Sequence, residues 1–454
     1  MSKDKVVLVV GSGGRECAVA RKFAASRHVG AVYACPGNAG TDSEGGVRNA
    51  APGPQKGVAG IVDAAKRVQA DLVFVGPEAP LVEGVADAMR EAGLACFGPT
   101  LAASKLEASK AFSKAFFDRH KLPTARYRVF TELDAAVTHV RAVDYPVVIK
   151  ASGLCAGKGV LIPEPGDAEG AVAALRQVME TRAFGAAGDE VVVEELLLGQ
   201  ECSVLAFCDG RTAVCMPAAQ DHKRALDGDR GLNTGGMGAY APAPCVTPEL
   251  GREIAGIVQR TLDGLREEGT PFVGVLFAGL MLTPTNGPML LEYNVRMGDP
   301  ETEVVIPLLQ SDLYEVCAAC VRGALEPDAV QWHADRFAAT VVVAARGYPE
   351  AHAKGLPVPG LAEAGAVEGA SVYHAGTSRD ASGRVVSSGG RVLAVTGVGR
   401  TLREAVDTAY RGVRCVQPDP ARGDFHYRTD IAHRALGRSG GSPEKKPRAE
   451  AGAA

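Results

Sequence analysis

Between residue 5 and about residue 102, short apolar runs alternate with amphipathic stretches: VVLVV, ECAVARKFAAS, AVYAC, GIVDAAKRVQA, DLVFVG, LVEGVADAMREAG and ACFGP. A strand that is apolar at every position needs cover on both faces, and helices that cross back over a parallel sheet supply it. The alternation therefore predicts a parallel sheet layered between helices. Such sheets bind ligands beyond the carboxyl ends of their strands. This chain puts GSGGRE, PGNAGT and GPEAPL there.

At 454 residues the chain outgrows a single core, which predicts about three domains. A second region opens near Ser104, where KLEASKAFSKAFFDRHK has helical periodicity that ends before Pro123. The strand PVVIK, a glycine-rich turn, a second strand, the helical AEGAVAALRQVMETRAF and the strand EVVVEELL follow, then a mixed stretch to about residue 328. Beyond it, AATVVVAA and GRVLAVTGV read as strands around the helix TLREAVDTAYRGV. The expected fold class is α/β and α+β, multidomain, divided 1–103, 104–330 with a smaller unit at about 124–192, and 331–436. The polar, glycine-rich 437–454 reads as a disordered tail or linker.

Charge and composition exclude several partners. The formal net charge is -4 and no stretch concentrates Lys and Arg, so no nucleic acid is expected. VVLVV is too short for a signal core or a membrane span, so a cytoplasmic protein with no membrane partner is expected. The 11 cysteines are scattered through apolar segments, as reduced thiols would be. Cys317 and Cys320 form a lone CxxC in the helix-like LYEVCAACVRGAL, where packing outweighs a redox or zinc role. His222 and His374 lack a His or Cys at ligand spacing, which speaks against a transition-metal site.

Three segments carry chemistry. Gly11-Ser12-Gly13-Gly14-Arg15-Glu16 joins a strand to a helix, where backbone N–H groups and Arg15 suit a phosphate. The dinucleotide fingerprint needs glycine in place of Glu16, so a nicotinamide cofactor is disfavoured. Ser152–Val160 has a lysine followed by Gly159 rather than Ser or Thr, so it reads not as a P-loop but as a glycine-rich hairpin flap, with Lys150 as a nearby fixed charge. In Met289–Met297, period two puts Glu292, Asn294 and Arg296 on one face and Leu291, Tyr293 and Val295 on the other. An acid and an amide are hard oxygen ligands for magnesium, and a guanidinium clamps phosphoryl oxygens. A tight turn, a solvated hairpin and a half-exposed strand are the plainer readings of the three.

Taken in order, GSGGRE, PGNAGT, GPEAPL, ASGLCAGKGV, VVVEELLLGQE, QDHKR, NTGGMGAY, EYNVRMGDPE, RGYPE, YHAGT and SGGRVLAV resemble the phosphoribosylamine–glycine ligases over residues 5 to about 435. The resemblance implies a Rossmann-like N-terminal domain, an ATP-grasp core with a mobile lid, and a small C-terminal α+β domain. It implies ATP-dependent ligation of glycine to phosphoribosylamine, through glycyl phosphate, with ATP and Mg2+ or Mn2+. At matched positions it implies Glu292 and Asn294 as metal ligands. Lys110, Lys150, Lys158, Glu194, Glu195, Leu197, Glu201, Arg224 and Asn233 match nucleotide contacts. Gly13, Gly14, Arg15, Gly37, Asn38 and Glu78 match substrate contacts, and Asp221, Lys223, Arg296 and Lys158 match catalytic positions, Asp221 and Arg296 also touching substrate.

The chain also resembles the first domain of trifunctional purine enzymes, so further purine-pathway domains after the tail are an open expectation. Cys17, Leu232 and Met297 depart from the family pattern, and Cys17 is expected to bear on the amine substrate because it lies near the phosphate loop. The alternatives are another ATP-grasp ligase or carboxylase, sharing the nucleotide half but not the acceptor, and a non-catalytic nucleotide-binding module.

Overall fold

The computed structural model describes residues 3–42, 46–155, 158–417 and 423–437. The expected tail, apart from Gly437, lies outside the described residues, as do Ala156 and Gly157 of the flap.

The first sheet contains β1 (Lys5–Gly11), β2 (Val29–Pro36), β3 (Val47–Asn49), β4 (Leu72–Val75) and β5 (Cys96–Phe97), all parallel, in the order β3-β2-β1-β4-β5. Around it pack α1 (Gly14–Ala24), α2 (Val58–Arg67), α3 (Glu78–Val82) and α4 (Val85–Glu91). Alternate residues of β1 enter different cores: Val7 and Val9 pack with Val19 and Phe23, Leu8 and Val10 with Val62 and Ala64. That division is why the strand is apolar throughout.

The helix expected from Ser104 onward is two helices, α5 (Leu101–Ala108) and α6 (Lys110–Arg119), broken at Ser109. Ser109 is extended, its Oγ caps α6 by accepting from Phe112 N at 3.1 Å, and the Lys110 N–H donates to Ser152 O at 2.8 Å. An acceptor from the flap thus competes with continued helix.

The flap sheet has β6 (Tyr127–Phe130), β7 (Val147–Ala151), β8 (Val160–Leu161) and β9 (Val191–Glu195), antiparallel in the order β6-β9-β7-β8. Helices α7 (Leu133–Ala142) and α8 (Ala168–Met179) back it, burying Ile149, Leu175 and Val193. The glycine-rich segment joins β7 to β8, the hairpin position the sequence predicts.

The larger antiparallel sheet runs β11-β10-β16-β17, with β10 (Gln200–Asp209) and β11 (Ala213–Cys215). The chain then makes β12 (Gln220–Asp221), the hairpin β13 (Arg224–Leu226) and β14 (Arg230–Asn233), and β15 (Gly238–Ala241). It returns through α9 (Pro248–Glu267), capped by Thr247, to β16 (Val273–Thr283) and β17 (Gly287–Asn294). A bulge separates the pairs Gly279↔Glu292 and Leu280↔Leu290, leaving Leu291 unpaired. Leu290, not the expected Leu291, therefore shares the buried face with Tyr293 and Val295. The strand ends at Asn294, and Arg296 stands in the bend beyond it.

After α10 (Thr302–Val305) and α11 (Leu313–Arg322), the last sheet forms from β18 (Phe337–Ala345), β19 (Ala370–His374) and β22 (Arg391–Gly399), with a short hairpin of β20 (Thr377–Arg379) and β21 (Val385–Ser387). Its order is β12-β15-β18-β22-β19, and β23 (Phe425–His426) pairs with β18. Strands from either side of residue 330 thus share one sheet. Helix α13 (Leu402–Val416) buries Ala409 and Val413 against Val341 and Val395, and α12 (Leu361–Gly365) and α14 (His433–Leu436) complete the chain. Among the described residues, no helix is long and apolar enough to cross a membrane.

Candidate active site

Two of the three polar side chains of the β17 segment, Asn294 and Arg296, are in contact. Arg296 Nη2 donates to Asn294 Oδ1 at 3.1 Å, and Nη1 donates to Met297 O at 3.1 Å. The same guanidinium is 3.1 Å from Glu107 Oε1 on α5 and 3.3 Å from Glu78 Oε2 on α3. Glu107 also accepts from the Val295 N–H through Oε2 at 2.7 Å, so one carboxylate fixes two consecutive residues of the bend. Burial pushes the Glu107 carboxyl up, whereas at Glu78 burial is outweighed by the charges of Arg296 and Arg15 together with hydrogen bonds, which hold the group low.

Beside this group two lysines share one carboxylate oxygen. Lys150 and Lys114 lie 2.9 and 3.0 Å from Glu194 Oε2, all three residues buried, and Lys114 also donates to Thr124 Oγ1 at 2.6 Å. Burial lowers the Lys114 ammonium to about 8, while Lys150 is held up, against its burial, by Glu194 and Glu292. Glu194 Oε1 is buried and has no hydrogen-bond partner. The cluster therefore has one more positive than negative charge and an acceptor without a donor.

The other nucleotide candidates lie at the start of α6, on the flap, on and just beyond β9, on β10 and on the β13–β14 hairpin. Lys110 reaches Gly153 O at 3.4 Å, at the flap's base, and Lys158 is exposed on the hairpin. Glu195 faces outward in a two-pronged pair with Arg126 at 2.9 and 3.1 Å, and Leu197 is buried just beyond β9. Glu201 pairs with Lys223 at 2.7 Å, and Lys223 in turn with buried Asp221 at 3.1 Å. Arg224 and Asn233 are cross-strand neighbours in the β13–β14 hairpin, where Arg224 Nη1 donates to Gly231 O at 2.8 Å.

In the glycine-rich loop, part of the donor set is met from within the chain. Glu16 folds back over the start of α1, accepting from Gly13 N at 2.6 Å and Arg15 Nε at 2.5 Å, while Arg15 Nη1 donates to Met297 O at 3.0 Å. A carboxylate of the chain itself thus takes two of the donors at this helix start. Asn38 is similarly committed: its amide donates to Ser12 O and His374 O, and its Oδ1 accepts from Gly40 N and Thr41 N. Those four bonds fill the capacity of an asparagine side chain, so Asn38 ties loops together instead of presenting a free amide. Gly37 has φ +75, and a Cβ there would fall 2.0 Å from Asn49 Oδ1. A Cβ on Gly14 would fall 2.6 Å from Glu303 Oε1. The loop still borders a cavity of about 770 Å³ lined by Gly13, Arg15, Glu16, Gln55, Lys56 and Asp299.

The Cys17 side chain, three residues beyond the loop glycine Gly14, is fully buried and packs with Val342, Tyr373 and Ala394 of the last sheet. Met297 is buried too, and Leu232 is exposed on the β13–β14 hairpin. Cys317 and Cys320 are buried on α11, and burial raises both thiols, as in a packed helix.

Several residues of this region escaped the sequence reading. Arg391, from β22, donates to Gly235 O at 2.7 Å and to Asp299 O at 2.9 Å, and pairs with Asp299 Oδ1 at 2.9 Å. Glu301 is buried where Ser203 Oγ donates to it at 3.3 Å, and burial, with Asp221 adding, raises its carboxyl. Lys114 had a usable signal, as a charged residue at the buried phase of the amphipathic α6 beside Phe117, whereas Glu107 on α5 had none beyond its neighbour Leu106.

Three models of the Phosphoribosylglycinamide synthetase family match in sequence: the N domain over 5–107, the ATP-grasp (A) domain over 108–302 and the C domain over 338–434. The chain belongs to this family. It is 48% identical to phosphoribosylamine–glycine ligase of Allochromatium vinosum, over 95% of this chain and 99% of that one. It is also 48% identical to the trifunctional purine biosynthetic protein adenosine-3 of Gallus gallus, over 95% of this chain but only 42% of that protein's length. The fold matches the crystal structure of phosphoribosylamine–glycine ligase from Thermotoga maritima with a TM-score of 0.80 at 34% identity, covering 94% of this chain and 100% of that one. A biotin carboxylase domain from Hydrogenobacter thermophilus, solved with MgADP and bicarbonate, shares the fold at a TM-score of 0.69 and 17% identity, covering 94% and 92%.

Proposed function

We propose that this chain ligates glycine to phosphoribosylamine at the expense of ATP, giving glycinamide ribonucleotide, ADP and phosphate in purine biosynthesis. The observation that carries this reading is the Lys114–Lys150–Glu194 cluster beside Glu292, Asn294 and Arg296. Its surplus positive charge suits a polyphosphate, and the partnerless Glu194 Oε1 suits the exocyclic amine of adenine. Glu292 and Asn294 would hold Mg2+, or Mn2+ with the same oxygen donors. Two protein ligands are few, but Mg2+ commonly completes its shell with water and phosphate oxygens, and when bound it neutralises charge on the transferring phosphoryl group.

A glycine carboxylate resists attack because of its charge and resonance. In the first step it attacks the γ-phosphorus in line, and Lys150, Lys158 and Arg296 neutralise the phosphoryl oxygens. Glycyl phosphate and ADP result. The phosphoribosylamine nitrogen then attacks the acyl carbon, the C–O bond to phosphate breaks, and phosphate leaves. Asp221 and Lys223 border the acyl group, and the amine substrate enters from the cavity lined by Gly13 and Arg15. Closure of the β7–β8 hairpin would exclude the water that hydrolyses an acyl phosphate.

Eleven cysteines with no disulfide among the described residues suit a cytoplasmic setting. Because the chain spans 42% of its trifunctional relatives, we also propose that it can work within a longer multifunctional protein. ADP release measured with ATP, Mg2+ and glycine should depend on phosphoribosylamine. Release driven instead by bicarbonate or another acceptor would make the chain a different ligase or a carboxylase, and ATP binding without release a nucleotide-binding module.

A further inference from the structure

The last described residues close over the segment that carries Asp221 and Lys223. Period two sends those two side chains toward Glu201, while His222 between them is fully buried on the opposite side. There it meets residues 428–434. The Ala432 N–H donates to His222 Nε2 at 2.9 Å, so that nitrogen is unprotonated and the ring proton is on Nδ1, 3.9 Å from Asp229 Oδ1. Arg434 Nη1 donates to the Asp221 carbonyl at 3.2 Å, and its Nη2 pairs with Asp229 Oδ2 at 3.0 Å. Arg428, fully buried, pairs with Asp229 at 2.9 Å and Asp430 at 2.8 Å and donates to Arg224 O at 3.2 Å. Asp227 Oδ1 accepts from Thr429 N at 2.8 Å, and Asp430 Oδ2 from Gly228 N at 2.8 Å.

Every polar contact in this set falls on the backbone of residues 221–229 or 428–434 or on His222, Asp227, Asp229 and Asp430, none of them assigned to the site, so the arrangement grips the segment without entering it. We propose that residues 428–434 form a clasp whose Arg434–Asp229 pair positions Asp221 and Lys223 for the acyl-transfer chemistry. Arg434 is a positioning residue: it holds the Asp221 carbonyl, and through it the register of the carboxylate and ammonium two residues apart. This inference rests on the reading of Asp221 and Lys223 as residues that border the acyl group.

The test uses the full chain, with ATP and glycine varied separately, and four variants: Arg434→Ala, Arg434→Lys, Asp229→Asn and, as reference, Lys223→Ala. A displaced catalytic group costs about 10- to 100-fold in rate, so Arg434→Ala should lower kcat by that factor while KM for ATP, set by the Lys114–Lys150 cluster, stays within about twofold. Arg434→Lys retains the charge but not the fork that reaches both Asp229 and the carbonyl, and should recover part of kcat. Asp229→Asn should follow Arg434→Ala in direction. The lysine variant also keeps the test alive if the alanine variant does not fold. A normal kcat in Arg434→Ala alongside an inactive Lys223→Ala would overturn the clasp. So would a joint fall of kcat, ATP affinity and thermal midpoint in Arg434→Ala and Arg434→Lys, which would mark a merely structural contact. A fully active Lys223→Ala would instead remove the reading of the site on which the clasp depends.

Discussion

Glu303 is fully buried and neither of its carboxylate oxygens has a hydrogen-bond partner. Burial, with Asp299 adding, raises its pKa well above the ordinary value of 4.5. A carboxyl whose pKa is raised by folding binds its proton more tightly in the native state, so the fold loses stability as pH rises above about 4.5 until the folded group itself ionises. Glu303→Gln removes that dependence. Its thermal midpoint relative to the parent should rise between pH 5 and pH 8, and a constant difference across that range would refute the burden assigned to Glu303. Glu292 is a different case, since its half-buried side chain lies on the open face of β17. Glu292→Ala should lower turnover at least about a hundredfold with little change in melting temperature. Normal activity in that variant would place the metal elsewhere.

Helix periodicity marked the residues of α5 and α6 but not the break between them. A helix continues until a better partner appears for its backbone, and Ser152 of the flap supplies one from 42 residues away in sequence. Ser109→Ala removes the cap on Phe112 N and should cost about 1 kcal/mol in denaturant unfolding, with the midpoint shifted and the slope unchanged. An unaltered midpoint would mean that Ser152 alone sets the break. The bulge at Leu291 has the same origin: alternation placed Glu292, Asn294 and Arg296 together, but which leucine joins the core depends on the register against β16. Cys17 likewise could not be read as a packing residue until the last sheet was seen beside α1.

Across the molecule, Arg391 ties the last sheet to the Gly235–Gly236 loop and to Asp299, next to the loop that holds Arg15. Removing it strands part of a buried charge, so Arg391→Ala should cost about 3 kcal/mol of stability, seen as earlier denaturant unfolding, and a loss below about 0.5 kcal/mol would show the contact to be incidental. The parallel first sheet, the flap hairpin and the polar face of β17 were legible in the sequence, because each follows from a period or a breaker within a dozen residues. The shared sheet of β12, β15, β18, β22 and β19 was not, and neither were the partners of Arg15, Asn38, Glu107 and Lys114. By itself the sequence determined which segments become strands and helices and which loops carry charge and glycine. Tertiary structure alone decided which charge neutralises which, since ion pairs depend on distances of a few ångströms between residues separated by tens to hundreds of positions.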